Sequence, residues 1–228
     1  MVIQLMGLCP LLLCHLSSRH RCPLRWRRNV NEYPRSLHAH RRHNRLSHEP
    51  RRRHRSNWAH HPHGSIYVVY KIDGNSLGNG GSCNNGIPPI HSTPIMLQKM
   101  AGDGYTPVGS AVQILDHDAG DGPLVEARSL IYVDGVFFLF FSSGCFSDTS
   151  YDLSYATATA VTGPYTKAGA PSAPLLTAGK YGLRAPGSAC FAQDGSKVVL
   201  HAYLGADISG GRGMWTGIPT FSGATVTL

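Results

Sequence analysis

Ser129-Leu130-Ile131-Tyr132-Val133-Asp134-Gly135-Val136-Phe137-Phe138-Leu139-Phe140-Phe141-Ser142 is the stretch on which the fold turns. Two β-prone runs, 129–133 and 136–142, flank an Asp-Gly pair, and Asp-Gly accepts the positive φ angles that a tight hairpin turn requires. The second run is apolar without alternation from Val136 to Phe141, which suits an inner strand covered on both faces. Its aromatic rings therefore read as core.

Outward from this hairpin the pattern repeats. Tyr151–Ala158 supplies a third strand and Tyr165–Lys167 a short fourth after the Gly163-Pro164 turn, making a four-stranded meander the size of one propeller blade. Ala189–Ala192, the turn Asp194-Gly195 and Lys197–Ala202 repeat the theme, and Gly213–Ile218 with Ala224–Leu228 closes the chain. Upstream, Tyr67–Ile72, Thr93–Met100 and Val112–Leu115 read as strands separated by Asp73-Gly74, a Gly/Asn-rich loop, Asp103-Gly104 and an acidic loop from Asp116 to Asp121. No helix of normal length is expected, and the class is all-β.

Composition divides the chain at residue 63. Thirteen Arg and ten of the thirteen His fall in residues 1–63, with two acids, Glu32 and Glu49, and no Lys. That segment carries +11 and residues 64–228 carry −3, so the net +8 says nothing about the β-rich part. A nucleic-acid arm would ordinarily mix Lys with Arg, because either neutralises a phosphate. Arg, His, Pro, Ser and Leu without periodicity are what GC-rich coding DNA yields in a wrong frame, so residues 1–63 read as a disordered or mistranslated tail. His60, His61 and His63 belong to it and make a weak metal motif. The apolar run Leu8–Leu16 has the length of a secretory h-region and is too short to span a bilayer, and no basic residue precedes it. Cys83, Cys145 and Cys190 show no zinc-ligand spacing. A Cys83–Cys145 disulfide and three free thiols both fit the sequence.

Longer motifs carry a resemblance. Gly122-Pro123-Leu124-Val125-Glu126-Ala127-Arg128-Ser129-Leu130, then Phe137–Ser143, Tyr151-Asp152-Leu153-Ser154-Tyr155-Ala156-Thr157-Ala158, Gly163-Pro164-Tyr165-Thr166-Lys167, Ala185-Pro186-Gly187 and Val199-Leu200-His201-Ala202 resemble the family 43 glycoside hydrolases. Tyr67–Asn75 looks like a fungal branch of that family. The resemblance implies a five-bladed β-propeller over residues 64–228, incomplete in its first blade and part of its second. It implies cleavage of α-L-arabinofuranosyl or β-D-xylosyl bonds of plant cell-wall polysaccharide by inversion, outside the cell, without cofactor, metal, nucleic acid or membrane. By the same resemblance Glu126 is the general acid, a Glu at the start of a strand, where partial desolvation favours a neutral carboxyl. Asp73, close after the strand, is expected with Lys71 to border the sugar site.

The family's base Asp and its acid-tuning Asp precede the Tyr67 strand, where this chain has a tail without Asp; its first Asp is Asp73. Turnover by this chain is therefore expected to be impaired, and a catalytically inactive carbohydrate binder is the alternative, with a basic-arm nucleic-acid binder second. Asp73 also suits a plain Asp-Gly turn. Asp116, Asp118 and Asp121 suit cation binding or loop solubility, and Asp152 a hydrogen-bonding role at a blade edge. Arg128, where the family usually has Pro, is in reach to pair with Glu126 and oppose the acid role. Where many relatives carry a His, this chain has Ser188. His201 reads as a core histidine.

Overall fold

The computed structural model describes residues 59–60, 64–74, 83–86, 89–205 and 208–228. Except for Ala59 and His60, the Arg/His-rich tail lies outside the described residues, as do His61 and His63. Thirteen short strands and three three-residue 3-10 turns make up the regular structure of the described part. One antiparallel sheet runs in the order β1 (Ala59–His60), β2 (Ile66–Lys71), β3 (Ile95–Met100), β4 (Val112–Leu115). A second runs β5 (Val125–Val133), β6 (Val136–Ser143), β7 (Ser154–Ala158), β8 (Thr166–Lys167). A third joins β9 (Gly187–Phe191), β10 (Val198–Tyr203) and β11 (Arg212–Gly217). The hairpin β12 (Thr220–Ser222) with β13 (Thr225–Thr227) follows. Each sheet is a meander of sequential neighbours, as in propeller blades. No described helix is long and apolar enough to cross a membrane.

The central hairpin forms as its sequence requires. Val133 pairs with Val136 across Asp134 (φ 47°) and Gly135 (φ 88°), two left-handed residues in succession. Strand β6 then alternates between two cores. Phe138 and Phe140 enter one with Ile131, Leu153, Tyr155, Phe191, Leu200 and Val226. Phe137, Leu139 and Phe141 enter the other with Ile95, Leu97, Ile114, Leu115 and Leu130. Phe138, Leu139 and Phe140 have no exposed surface, which explains why this strand cannot alternate apolar with polar. Each fully buried side chain of this size contributes about 1.5–3 kcal/mol, so the β5–β8 sheet fixes its neighbours on both faces.

Three strand assignments differ from the sequence reading. The strand that begins at Ser129 by pattern extends back to Val125, with its register broken between Glu126 and Ser129. That break is a β-bulge, and Ala127 within it holds φ 51°, a left-handed conformation that costs an alanine about 1–2 kcal/mol. The strand read from Tyr151 begins its pairing at Ser154, because Leu153 instead bridges Leu176 and the side chain of Asp152 accepts from the hydroxyl of Ser143 at 2.8 Å. The strand Thr220–Ser222, which the sequence reading did not include, pairs with Thr225–Thr227, while β11 pairs with β10.

Candidate active site

Three constraints fix the chain just ahead of Glu126. Cys83 and Cys145 are joined in a disulfide, with Cα atoms 5.6 Å apart. Asn85 is fully buried; its amide donates to the carbonyls of His91 (2.7 Å) and Pro123 (2.9 Å) and its oxygen accepts from His91 N–H (2.8 Å). Val125 N–H donates to Thr93 Oγ1 at 3.1 Å. The bulge at Ala127 then lets Glu126 leave the regular pleat.

Glu126 is held at both carboxyl oxygens. Lys71, the last residue of β2, places Nζ 2.8 Å from Oε2, and the Tyr151 hydroxyl donates to Oε1 at 2.9 Å. The two ionic side chains are 5% and 13% exposed for Lys71 and Glu126, so the pair is screened little by solvent. Asp73 Oδ2 lies 3.7 Å from the same ammonium. The structure thus brings together Glu126, Lys71 and Asp73, the three residues proposed from the sequence.

Arg128 takes a different place from the one expected. Its Nε donates to the Val69 carbonyl at 2.9 Å, and Lys71 is the ion-pair partner of Glu126. Burial pulls the Arg128 guanidinium down from its usual range, while the nearby Glu126 charge opposes that shift. Alternation along β2 explains the outcome, since Lys71 shares the inward side of the strand with Tyr67.

Sequence reasoning missed the aromatic and hydroxyl groups around this carboxylate. Tyr151 is fully buried, and its hydroxyl lies 3.1 Å from Ser188 Oγ. Ser188 holds φ 50°, and its N–H donates to Ser142 Oγ at 2.9 Å. Burial first, then the charge of Glu126, push the Tyr151 phenol well above its usual range. The ring of Tyr151 stacks on His201 with centroids 6.1 Å apart and planes 6° apart, and the Arg212 guanidinium lies 5.5 Å from the Tyr151 ring centre. Arg212 also donates to His201 Nδ1 at 2.6 Å, to the Tyr203 hydroxyl at 3.2 Å and to the Phe146 carbonyl. Burial and then the Arg212 charge bring the His201 pKa down to about 4. His201 thus accepts from the Arg212 guanidinium and stacks on Tyr151.

The remaining acids serve the scaffold. Asp118 and Asp121 both meet Lys167, with the Asp118 contact at 2.9 Å, and the Asp121 carboxylate caps the Asp118 N–H at 2.8 Å. The Lys167 hydrogen bond holds Asp118 below the usual carboxylate range. Asp116 accepts from Thr93 N–H at 3.0 Å and from Ser92 Oγ. Burial pushes Asp152 up to about 6. Among the described residues no cluster of His, Cys, Asp and Glu is arranged to hold a metal ion.

Comparison with solved structures defines the fold. A thermostable family-43 glycoside hydrolase superposes with TM-score 0.59 at 23% identity, over 75% of this chain and 55% of the other. An endo-1,4-beta-xylanase from Bacteroides thetaiotaomicron gives 0.58 at 22% identity over 75% and 56%. An alpha-L-arabinofuranosidase from Lactobacillus brevis gives 0.56 at 15% over 76% and 55%. No protein-family model matches the sequence, and no curated protein matches it. The fold is that of the family 43 glycoside hydrolases, all-β with propeller-type sheets. The chain spans about half the length of these solved structures.

Proposed function

We propose that this domain hydrolyses O-glycosyl bonds, of the α-L-arabinofuranosyl or β-D-xylosyl type in plant cell-wall polysaccharide, with Glu126 as general acid. The observation that carries the reading is the placement of Glu126. It is a mostly buried carboxylate at a β-bulge, gripped by Lys71 and Tyr151, in a fold shared with a xylanase and an arabinofuranosidase. In an inverting reaction the acid protonates the leaving oxygen while a carboxylate about 6.5–9.5 Å away activates water. Lys71 and Asp73 are assigned to the sugar beside the acid. No described carboxylate is assigned as the base, so turnover by this chain is expected to be low. The Cys83–Cys145 disulfide supports an oxidising, extracellular setting.

The test is release of arabinose or xylose from arabino- and xylo-oligosaccharides, whose leaving alcohols need a proton, by the wild type and by Glu126→Gln. Slow release that falls at least ~100-fold in the variant supports the reading; release that is unchanged in the variant rules Glu126 out as the acid. The absence of an assigned base favours a second reading, a carbohydrate-binding domain without turnover. Calorimetric binding of arabinoxylan oligosaccharides with no product formed would select it.

A further inference from the structure

We propose that Tyr151 is a positioning residue for Glu126, and that with Ser188 it forms a hydroxyl relay which fits either protonation state of the carboxyl without moving a heavy atom. The inference rests on the reading of Glu126 as the general acid and adds how its proton is held. An ionised carboxylate only accepts hydrogen bonds, while a phenol and a serine hydroxyl each donate one and also accept. With Glu126 ionised, Tyr151 donates to Oε1 across 2.9 Å and accepts from Ser188 across 3.1 Å. With Glu126 protonated on Oε1, the carboxyl donates to Tyr151, whose proton turns to Ser188 Oγ. Two O–H rotations connect the states.

Lys71 supports the assignment of the proton to one oxygen. Its ammonium has donors only and lies 2.8 Å from Oε2, which leaves Oε1 as the site for the proton. The Oε1–H turns from Tyr151 to the leaving oxygen; as its bond breaks and the proton passes across, charge develops on Oε1, and the Tyr151 hydroxyl returns to donating to it. The hydrogen bond is then stronger in the transition state than before it, the condition for assisting the step.

The surroundings hold this arrangement. A side chain at Gly187 would collide with the Tyr151 ring and lie 2.7 Å from Ser142 Oγ. Ser188 is strained at φ 50° and tied through its N–H to Ser142, a conformation that costs energy and aims its hydroxyl at Tyr151. Burial together with the Glu126 charge keeps the Tyr151 phenol neutral. The other charged or titratable groups facing the relay are Lys71 and Asp73 from the end of β2, Arg128 from β5, His201 from β10 and Arg212 from β11.

Glu126 is one of three glutamates, and the other two are Glu32 and Glu49. Carboxyl-13C glutamate labelling of the full chain therefore gives three signals, and Glu126→Gln assigns one of them. In Tyr151→Phe both protonation states lose a hydrogen bond, and because the bond to the charged carboxylate is the stronger by about 1 kcal/mol, the titration midpoint of that signal is expected to move to higher pH by about 0.7 unit. Ser188→Ala is expected to move it in the same direction by less. An unmoved midpoint in Tyr151→Phe overturns the proposal, and if that variant does not fold, an unmoved midpoint in Ser188→Ala does so. The readout needs no turnover: a shifted midpoint alongside unchanged hydrolysis by Glu126→Gln would retain the relay and reject the acid assignment.

Discussion

Replacing Lys71 with Met removes the cation 2.8 Å from Glu126 Oε2 and leaves a carboxylate that is 13% exposed without its ion-pair partner. Breaking one side of a buried pair costs about 3–5 kcal/mol, because the remaining charge stays desolvated. Arg128 is tied to the Val69 carbonyl and does not replace the lost ammonium, so we expect about 3 kcal/mol at pH 7. Removing both charges, in Lys71→Met with Glu126→Gln, deletes the uncompensated carboxylate as well. The double variant is therefore expected to lose about 2 kcal/mol less than the two single losses added together. Urea unfolding of the four proteins, followed by tryptophan fluorescence, measures the coupling. Additivity within about 0.5 kcal/mol would mean that the two side chains do not support one another, and the account of a Lys71-anchored Glu126 would be wrong.

Stability between about pH 4 and 6 contains two opposing contributions. Asp152 is raised to about 6 in the folded protein. There the native state keeps a proton that the unfolded chain has released, so stability falls as pH rises through the window. His201 is lowered to about 4. There the unfolded chain holds the proton instead, so stability rises with pH between about 4 and 6.5. Each contributes up to about 3 kcal/mol, and a nearly flat wild-type profile is expected; Asp152→Asn should leave a rising profile and His201→Gln a falling one, measured by urea unfolding at several pH values. Replacing Cys83 and Cys145 together with Ser opens a cross-link of sequence separation 62, for which chain entropy gives about 4 kcal/mol, read from the unfolding midpoint. Phe140→Ala removes a fully buried ring stacked on Phe191 with centroids 3.5 Å apart, and a loss of about 4 kcal/mol by the same assay is expected.

The fold was legible where hydrophobic pattern and turn chemistry agreed. Val136–Phe141 announced a strand covered on both faces, and the two cores on either side of it supply the reason. The bulge at Ala127 was hidden, because an alanine in a left-handed conformation carries no signal as glycine would. Tyr151 stood within a motif that read as strand, whereas it lies ahead of the pairing that begins at Ser154, and its hydroxyl meets Glu126. The Lys71–Glu126 pair joins residues 55 positions apart, so no local pattern could indicate it. Lys71 was reached through its place beside Asp73, whereas Arg128 attracted attention by proximity in sequence and proved to serve the backbone of β2. The contact of Phe146 with Arg212 likewise depends on a loop meeting the paired ends of β10 and β11, which alternation along a strand does not encode.

The most direct measurement of the central claim is the dependence of hydrolysis on the leaving group in Glu126→Ala. A general acid matters only when the departing oxygen needs a proton. The variant is therefore expected to lose at least ~100-fold on glycosides of weakly acidic alcohols and to retain near-wild-type rates on the 2,4-dinitrophenyl glycosides. An equal loss on both classes of substrate would contradict the assignment of Glu126 as the proton donor.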